Sequence, residues 1–198
     1  MRKTEGRKAD SRQRIVDAAA GLFRQHGIDG VGVDAIMHAA GLTHGGFYGH
    51  FSSKEALVAE VCNGALARSA ARWERISHMG EPAQALRQIV GPYLDRAHVA
   101  ATESGCVLTS LGPEVARRPE ARTGMAEPVR AMLAALERCM PDASQEQAKA
   151  TLSTMVGAVI LARLADDPAM ADGFLKAAKD AVLQGQLGQV GSAPGDGA

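Results

Sequence analysis

Apolar residues in this chain recur at three- and four-residue intervals, and alternating Val/Ile/Thr/Tyr runs bounded by tight hairpin dipeptides are missing. This pattern predicts an all-α protein. Ile15, Val16, Ala19, Leu22 and Phe23 share one face of a helix that Asp10 or Ser11 can cap and Gly27 can end. A second, short helix over 33–40 places Ile36 and Ala40 on one side and stops at Gly41. Ser52 and Glu55 have capping-box spacing and open a helix with Leu57, Val58, Val61, Cys62, Ala65, Leu66, Trp73 and Ile76 in register. From Lys54 to about Ser77 it would span ~36 Å at 1.5 Å per residue.

The remaining segments are also helical. Pro82 can open a helix with Leu86, Ile89, Val90, Tyr93 and Leu94, which Gly91 and Pro92 should kink or interrupt. Residues 105–118 read as a short, irregular helical segment, and 127–140 as a helix ended by Pro141 and Asp142. Ser144 and Gln147 form a second capping box for a long helix carrying Leu152, Met155, Val156, Val159, Ile160 and Leu164. Asp167 and Pro168 start the last helix, with Met170, Phe174, Ala178, Ala181 and Val182. Past Gly185, glycine, serine and proline predict disorder. The expected organisation is a flexible basic arm at 1–9, a helix-turn-helix domain at 10–57, a helical domain at 78–186 and a disordered tail at 187–198, about nine helices in all.

Charge sharpens this picture only locally. The chain carries 22 basic and 22 acidic side chains, so affinity for a polyanion must come from their arrangement. Residues 1–25 hold Arg2, Lys3, Arg7, Lys8, Arg12, Arg14 and Arg24 against Glu5, Asp10 and Asp17, a net +4 that suits either a solvated terminus or a nucleic-acid arm. The three cysteines, Cys62, Cys106 and Cys139, are irregularly spaced, which argues against a disulfide framework. No run of about 18 apolar residues predicts a membrane span, and no apolar signal core is seen at the N-terminus; the expectation is a cytoplasmic protein.

Two short helices meeting through Gly41, Leu42 and Thr43 form a candidate helix-turn-helix, although a structural helical hairpin gives the same pattern. The stretch DSRQRIVDAAAGLFRQHGIDGVGVDAIMHAAGLTHGGFYGHFSSKEAL, residues 10–57, resembles the DNA-binding domain of the TetR family of bacterial transcriptional regulators. The matching features are the Ile-Val-x-Ala-Ala start, Phe23, the connection from Gly27 to Val33, Ile36, Ala40 and Gly41. The strongest are Phe47, Tyr48, His50 and Phe51, followed by Lys54, Glu55 and Leu57. Beyond this quarter of the chain the match is only architectural.

The resemblance implies a double-stranded DNA operator as partner, and gives these residues roles. Thr43 begins the recognition helix, where its hydroxyl can cap the helix and also bond a phosphate. His44, Gly45 and Gly46 face the groove, and Phe47 and Phe51 are core. Tyr48, His50 and Lys54 contact phosphates; packing for Tyr48 and simple solvation for Lys54 are the alternatives. Many relatives carry a side chain at the position of Gly46, so readout here leans on His44, phosphates and DNA shape, with Arg7, Lys8, Arg12 or Arg14 near the backbone or minor groove. His38, His44 and His50 do not share a helix face, so no metal role is expected, and no cofactor.

The resemblance further implies a homodimer through the last two long helices, with recognition helices about 34 Å apart over a pseudo-palindrome, and an unidentified small-molecule effector. Trp73, Tyr93, Leu94, His98, Leu108, Met125 and Met132 are candidates to line an apolar or aromatic pocket, with core packing as the alternative for each. Cys106 precedes a short helix, whose N-terminus can lower a thiol pKa. Some electrophile- and oxidant-sensing relatives use a cysteine in about this region; the alternative is a buried inert thiol. The H-E-x-x-H, G-x-S-x-G, P-loop and dinucleotide motifs are missing, so no enzyme is expected. A helical small-molecule-binding module or an enzyme, in either case without a DNA partner, stands as the alternative function.

Overall fold

A computed structural model describes residues 2–140 and 144–184 of the chain. Among these, helices α1 (Arg2–His26), α2 (Val33–Ala39), a 3₁₀ helix (His44–Gly49) and α3 (Lys54–Ser77) lead. They are followed by α4 (Pro82–Tyr93), α5 (Arg96–Ala100), α6 (Val107–Ser110), α7 (Gly112–Ala116), α8 (Pro119–Cys139), α9 (Gln145–Leu164) and α10 (Pro168–Leu183). The described residues contain no strand. The all-α expectation holds, with two short helices more than the nine expected.

Local sequence chemistry accounts for most boundaries. The Ser144 hydroxyl accepts the Gln147 N–H, and the Gln147 side chain accepts the Ser144 N–H, completing the expected capping box. Asp167 accepts the Met170 N–H at 2.9 Å, with Pro168 in the first turn, where its missing donor costs nothing. At α3 the cap is Ser53 rather than Ser52: its hydroxyl accepts the Ala56 N–H at 3.0 Å.

Three other boundaries differ from expectation. Helix α1 begins at Arg2, so the helix covers the stretch expected to be a flexible arm as well as the cap positions Asp10 and Ser11. Pro92 lies within α4, but only one residue before its end, so it stops the helix rather than kinking it. Helix α8 starts at Pro119, eight residues before the expected start at 127, and runs through Pro128. The expected terminator Pro141–Asp142 and the tail at 187–198 lie outside the described residues.

The chain forms two compact units that interleave along the sequence: residues 1–70 with 101–130, and residues 71–100 with 131–198. In the first unit, Ile15, Ala19 and Phe23 of α1, Ile36 and Met37 of α2, Phe47, and Leu57 and Val58 of α3 are almost wholly buried. Leu111, Val115 and Ala121 from the second stretch are also buried. In the second unit the core is built from Ile89, Val90 and Leu94 of and after α4, Met132 and Leu136 of α8, Met155 and Val159 of α9, and Leu175 and Val182 of α10. No helix of the described residues is long and apolar enough to cross a membrane.

Candidate nucleic-acid interface

The first unit presents a short helix, a turn and a 3₁₀ helix whose inner face is locked. Phe47 is fully buried; its ring stacks on Phe51 at 5.7 Å and meets Tyr48 edge-on at 5.3 Å. Gly41, at φ +64, ends α2 in a conformation that strains any other residue, and the Arg14 guanidinium bonds the Ala40 carbonyl there. Arg14 is therefore a cap on α2. Arg12 is also engaged within the fold, bonding the His50 carbonyl and Glu60 while lying 4.1 Å over the Phe51 ring.

The outer face carries the residues singled out from the sequence. Tyr48 is 67% exposed, and His44 is exposed beside Asp34, with which it forms an ion pair when protonated. Gly45 is exposed, Gly46 partly so, and a methyl group built on Gly45 would meet nothing. One on Gly46 would make ordinary contact with Met37 at 3.5 Å. His50 is half-buried, with its Nδ1 enclosed and without a hydrogen-bond partner. Lys54 opens α3 and is half-exposed.

Two expectations are corrected here. The recognition element is a six-residue 3₁₀ helix, and Thr43 flanks it without a side-chain capping bond, so its hydroxyl is not used in the fold. Its backbone carbonyl instead accepts the Gly46 N–H at 3.0 Å. Two adjacent glycines weaken an α-helix by about 1 kcal/mol each relative to alanine, which fits the short tight turn. Sequence reading also missed a concavity of about 300 Å³ lined by Lys8, Ala9, Arg12, Gly49 and His50. The basic start of α1 and the end of the 3₁₀ helix thus share one recess; the cluster of basic residues was the available signal.

The candidates for effector contact are divided between the two units. Trp73, Tyr93 and His98, in the second unit, form a chain of edge-on rings at 5.6 and 4.6 Å. His98 Nδ1 lies 2.7 Å from the Tyr93 carbonyl, and burial lowers its pKa. Met132 is buried in the same unit, as is Leu94. Cys106 and Met125, both buried, and half-buried Leu108 belong to the first unit. Cys106 flanks α6 at its N-terminal side, and its carbonyl accepts the Thr109 and Ser110 hydroxyls at 2.8 and 3.1 Å. Burial pushes the Cys62 thiol up to about 11 and raises that of Cys139, marking both as inert.

A locked short helix, a glycine turn and an exposed second helix with polar and basic residues around it define a helix-turn-helix protein. The family model for bacterial regulatory proteins of the tetR family matches residues 15–61 of the chain. It is 40% identical over 60 residues to the HTH-type transcriptional regulator AcrR of Shigella flexneri, covering 30% of this chain and 28% of the relative. To the HTH-type transcriptional repressor KstR2 of Rhodococcus jostii (strain RHA1) it is 41% identical over 59 residues, covering 30% and 29%. These matches span less than a third of the length of the curated relatives. Over 87% of this chain and 95% of the other, the fold is similar to that of the reduced form of E. coli NemR, with a TM-score of 0.76 and 22% identity.

Proposed function

We propose that the protein is a ligand-responsive transcriptional repressor that binds a palindromic DNA operator as a homodimer. The observation that carries this reading is the two-sided recognition element: Phe47 and Phe51 buried beneath, Tyr48, His44 and Gly45 exposed above. Tyr48, His50 and Lys54 hold phosphates on one side, and Lys8 in the recess beside His50 supplies a further cation. Thr43, with no capping bond to give up, is free to donate its hydroxyl to a phosphate. Arg12 and Arg14 support the element from within.

Titrating a DNA fragment from upstream of the gene at several salt concentrations tests the proposal. Specific binding should exceed binding to unrelated DNA by at least about 10³-fold, and weaken steeply as salt rises. Equal, weak affinity for both DNAs would overturn it. Gly46→Ala adds a finer test, because the protein itself has room for the methyl group. If close approach to the groove is the reason for glycine, operator affinity falls while folding is unharmed; unchanged or tighter binding rejects that reason.

The effector is proposed to be a small apolar, aromatic or electrophilic molecule. The aromatic rings of Trp73 and Tyr93 suit the first two classes, and the thiol of Cys106 the third. Pairing of two copies is assigned to the outer faces of α9 and α10. There Leu161, Leu164 and Met170 are exposed by 45%, 76% and 50%, next to Gly157 and Gly173 with open space above them.

A further inference from the structure

The second stretch of the first unit grips the helix-turn-helix at both of its ends. Gly27 closes α1 at φ +74, and Ile28 and Asp29 follow on the way to α2. The Ile28 N–H donates to Glu114 Oε2 of α7 at 2.8 Å. A methyl group on Gly27 would lie 3.3 Å from the other oxygen of that carboxylate, so glycine leaves the space in which Glu114 sits. Asp29 pairs with Arg118, whose guanidinium holds its carboxyl below the usual carboxylate range. Arg118 Nε also lies 3.4 Å from Glu55 Oε2 in the first turn of α3, and Arg118 Nη1 donates to the Glu114 carbonyl at 3.1 Å.

Arg118 is only 13% exposed although it serves Asp29 and Glu55, whose side chains are 82% and 48% exposed. One guanidinium, itself anchored to Glu114, thus joins the segment entering α2 to the helix leaving the recognition element. Everything between, including the 3₁₀ helix, is held from both sides. Such a bridge adds little to stability where its acids are solvated. It does fix an angle, and a groove-facing element misplaced by about 1 Å loses aligned contacts while keeping its charge.

We propose that Glu114 and Arg118 are positioning residues for DNA recognition: they set the pose of the helix-turn-helix through Ile28, Asp29 and Glu55 without touching DNA. The inference rests on the DNA-binding reading above. It makes residues 101–130 the segment whose displacement would weaken operator binding.

Full-length wild type, Glu114→Ala, Glu114→Gln, Arg118→Gln and Arg118→Lys would be titrated with the upstream fragment and with unrelated DNA across a salt series. Glu114→Ala and Arg118→Gln should weaken operator binding tenfold or more, with non-specific affinity and the salt slope unchanged. Glu114→Gln, whose amide oxygen still accepts from Ile28, should behave as wild type; Arg118→Lys, which cannot fork between Asp29 and Glu55, should resemble Arg118→Gln. A salt slope reduced by about one in the Arg118 variants would instead make Arg118 a direct phosphate contact and overturn the proposal. So would equal losses on both DNAs, or no loss on either. Failure of the wild type to discriminate the two DNAs would refute the regulator reading itself, which keeps the two failures apart.

Discussion

Phe47→Ala should destabilise the first unit by about 3–5 kcal/mol, the cost of emptying a fully buried aromatic site. Phe47 is the one residue of the 3₁₀ helix that is wholly inside. Around it the helix offers three glycines, an exposed tyrosine and an exposed histidine, none able to hold the segment against the domain. Six residues in 3₁₀ geometry do not persist without such an anchor. Specific operator binding should therefore be lost even at temperatures where most helix remains, as read by circular dichroism melting together with DNA titration. Tyr48→Phe is the matched control: its hydroxyl projects from a ring that is 67% exposed, so melting should not change while affinity falls modestly. A melting curve for Phe47→Ala close to wild type would show that Phe47 is not the anchor.

What the sequence revealed, and what it hid, follows the range of the interactions. The caps at Ser144 and Asp167 were legible because donor and acceptor lie three residues apart. The double serine before α3 left a one-residue ambiguity that only geometry resolves, in favour of Ser53. The start of α1 was misplaced because apolar spacing begins at Ile15, whereas the polar turns before it contain only Gly6 as a poor helix former. The helix expected from residue 127 in fact starts at Pro119 and passes through Pro128, losing one backbone bond while burying Ala121, Met125 and Met132.

The site divides in the same way. Phe47 and Phe51 as its inner face, and Tyr48 and His44 as its outer one, were readable from pattern and family resemblance. The employment of Arg12 and Arg14 inside the fold was not, since an arginine near a basic terminus gives no sign of the carbonyl it bonds. Nor was the grip of Glu114 and Arg118, whose partners lie 86 and 89 residues away in sequence. Contacts of that range also explain why residues 101–130 join the first unit and not the second.

Introducing a carboxylate into the outer face of the last two helices, as in Leu164→Glu or Leu161→Glu, should convert the proposed dimer to a monomer. It should also reduce operator affinity by two orders of magnitude or more. Two-fold symmetry makes each substitution count twice, so a pair of charges enters the surface where Leu161, Leu164 and Met170 are exposed. Each leucine lost from a fully buried interface position removes about 1.5–3 kcal/mol, and burying the new carboxylates adds a further penalty. A monomer keeps its recognition element but loses the second half-site, and with it the gain from binding two linked sites at once. Because Leu164 is 76% exposed in the single chain, its replacement should leave the monomer's own core intact. Sedimentation or light scattering reads the assembly, and titration against full and half operators reads the consequence. A Leu164→Glu protein that stays dimeric with full operator affinity would move the interface elsewhere. A monomer that still binds the full operator as tightly as wild type would remove the need for pairing altogether.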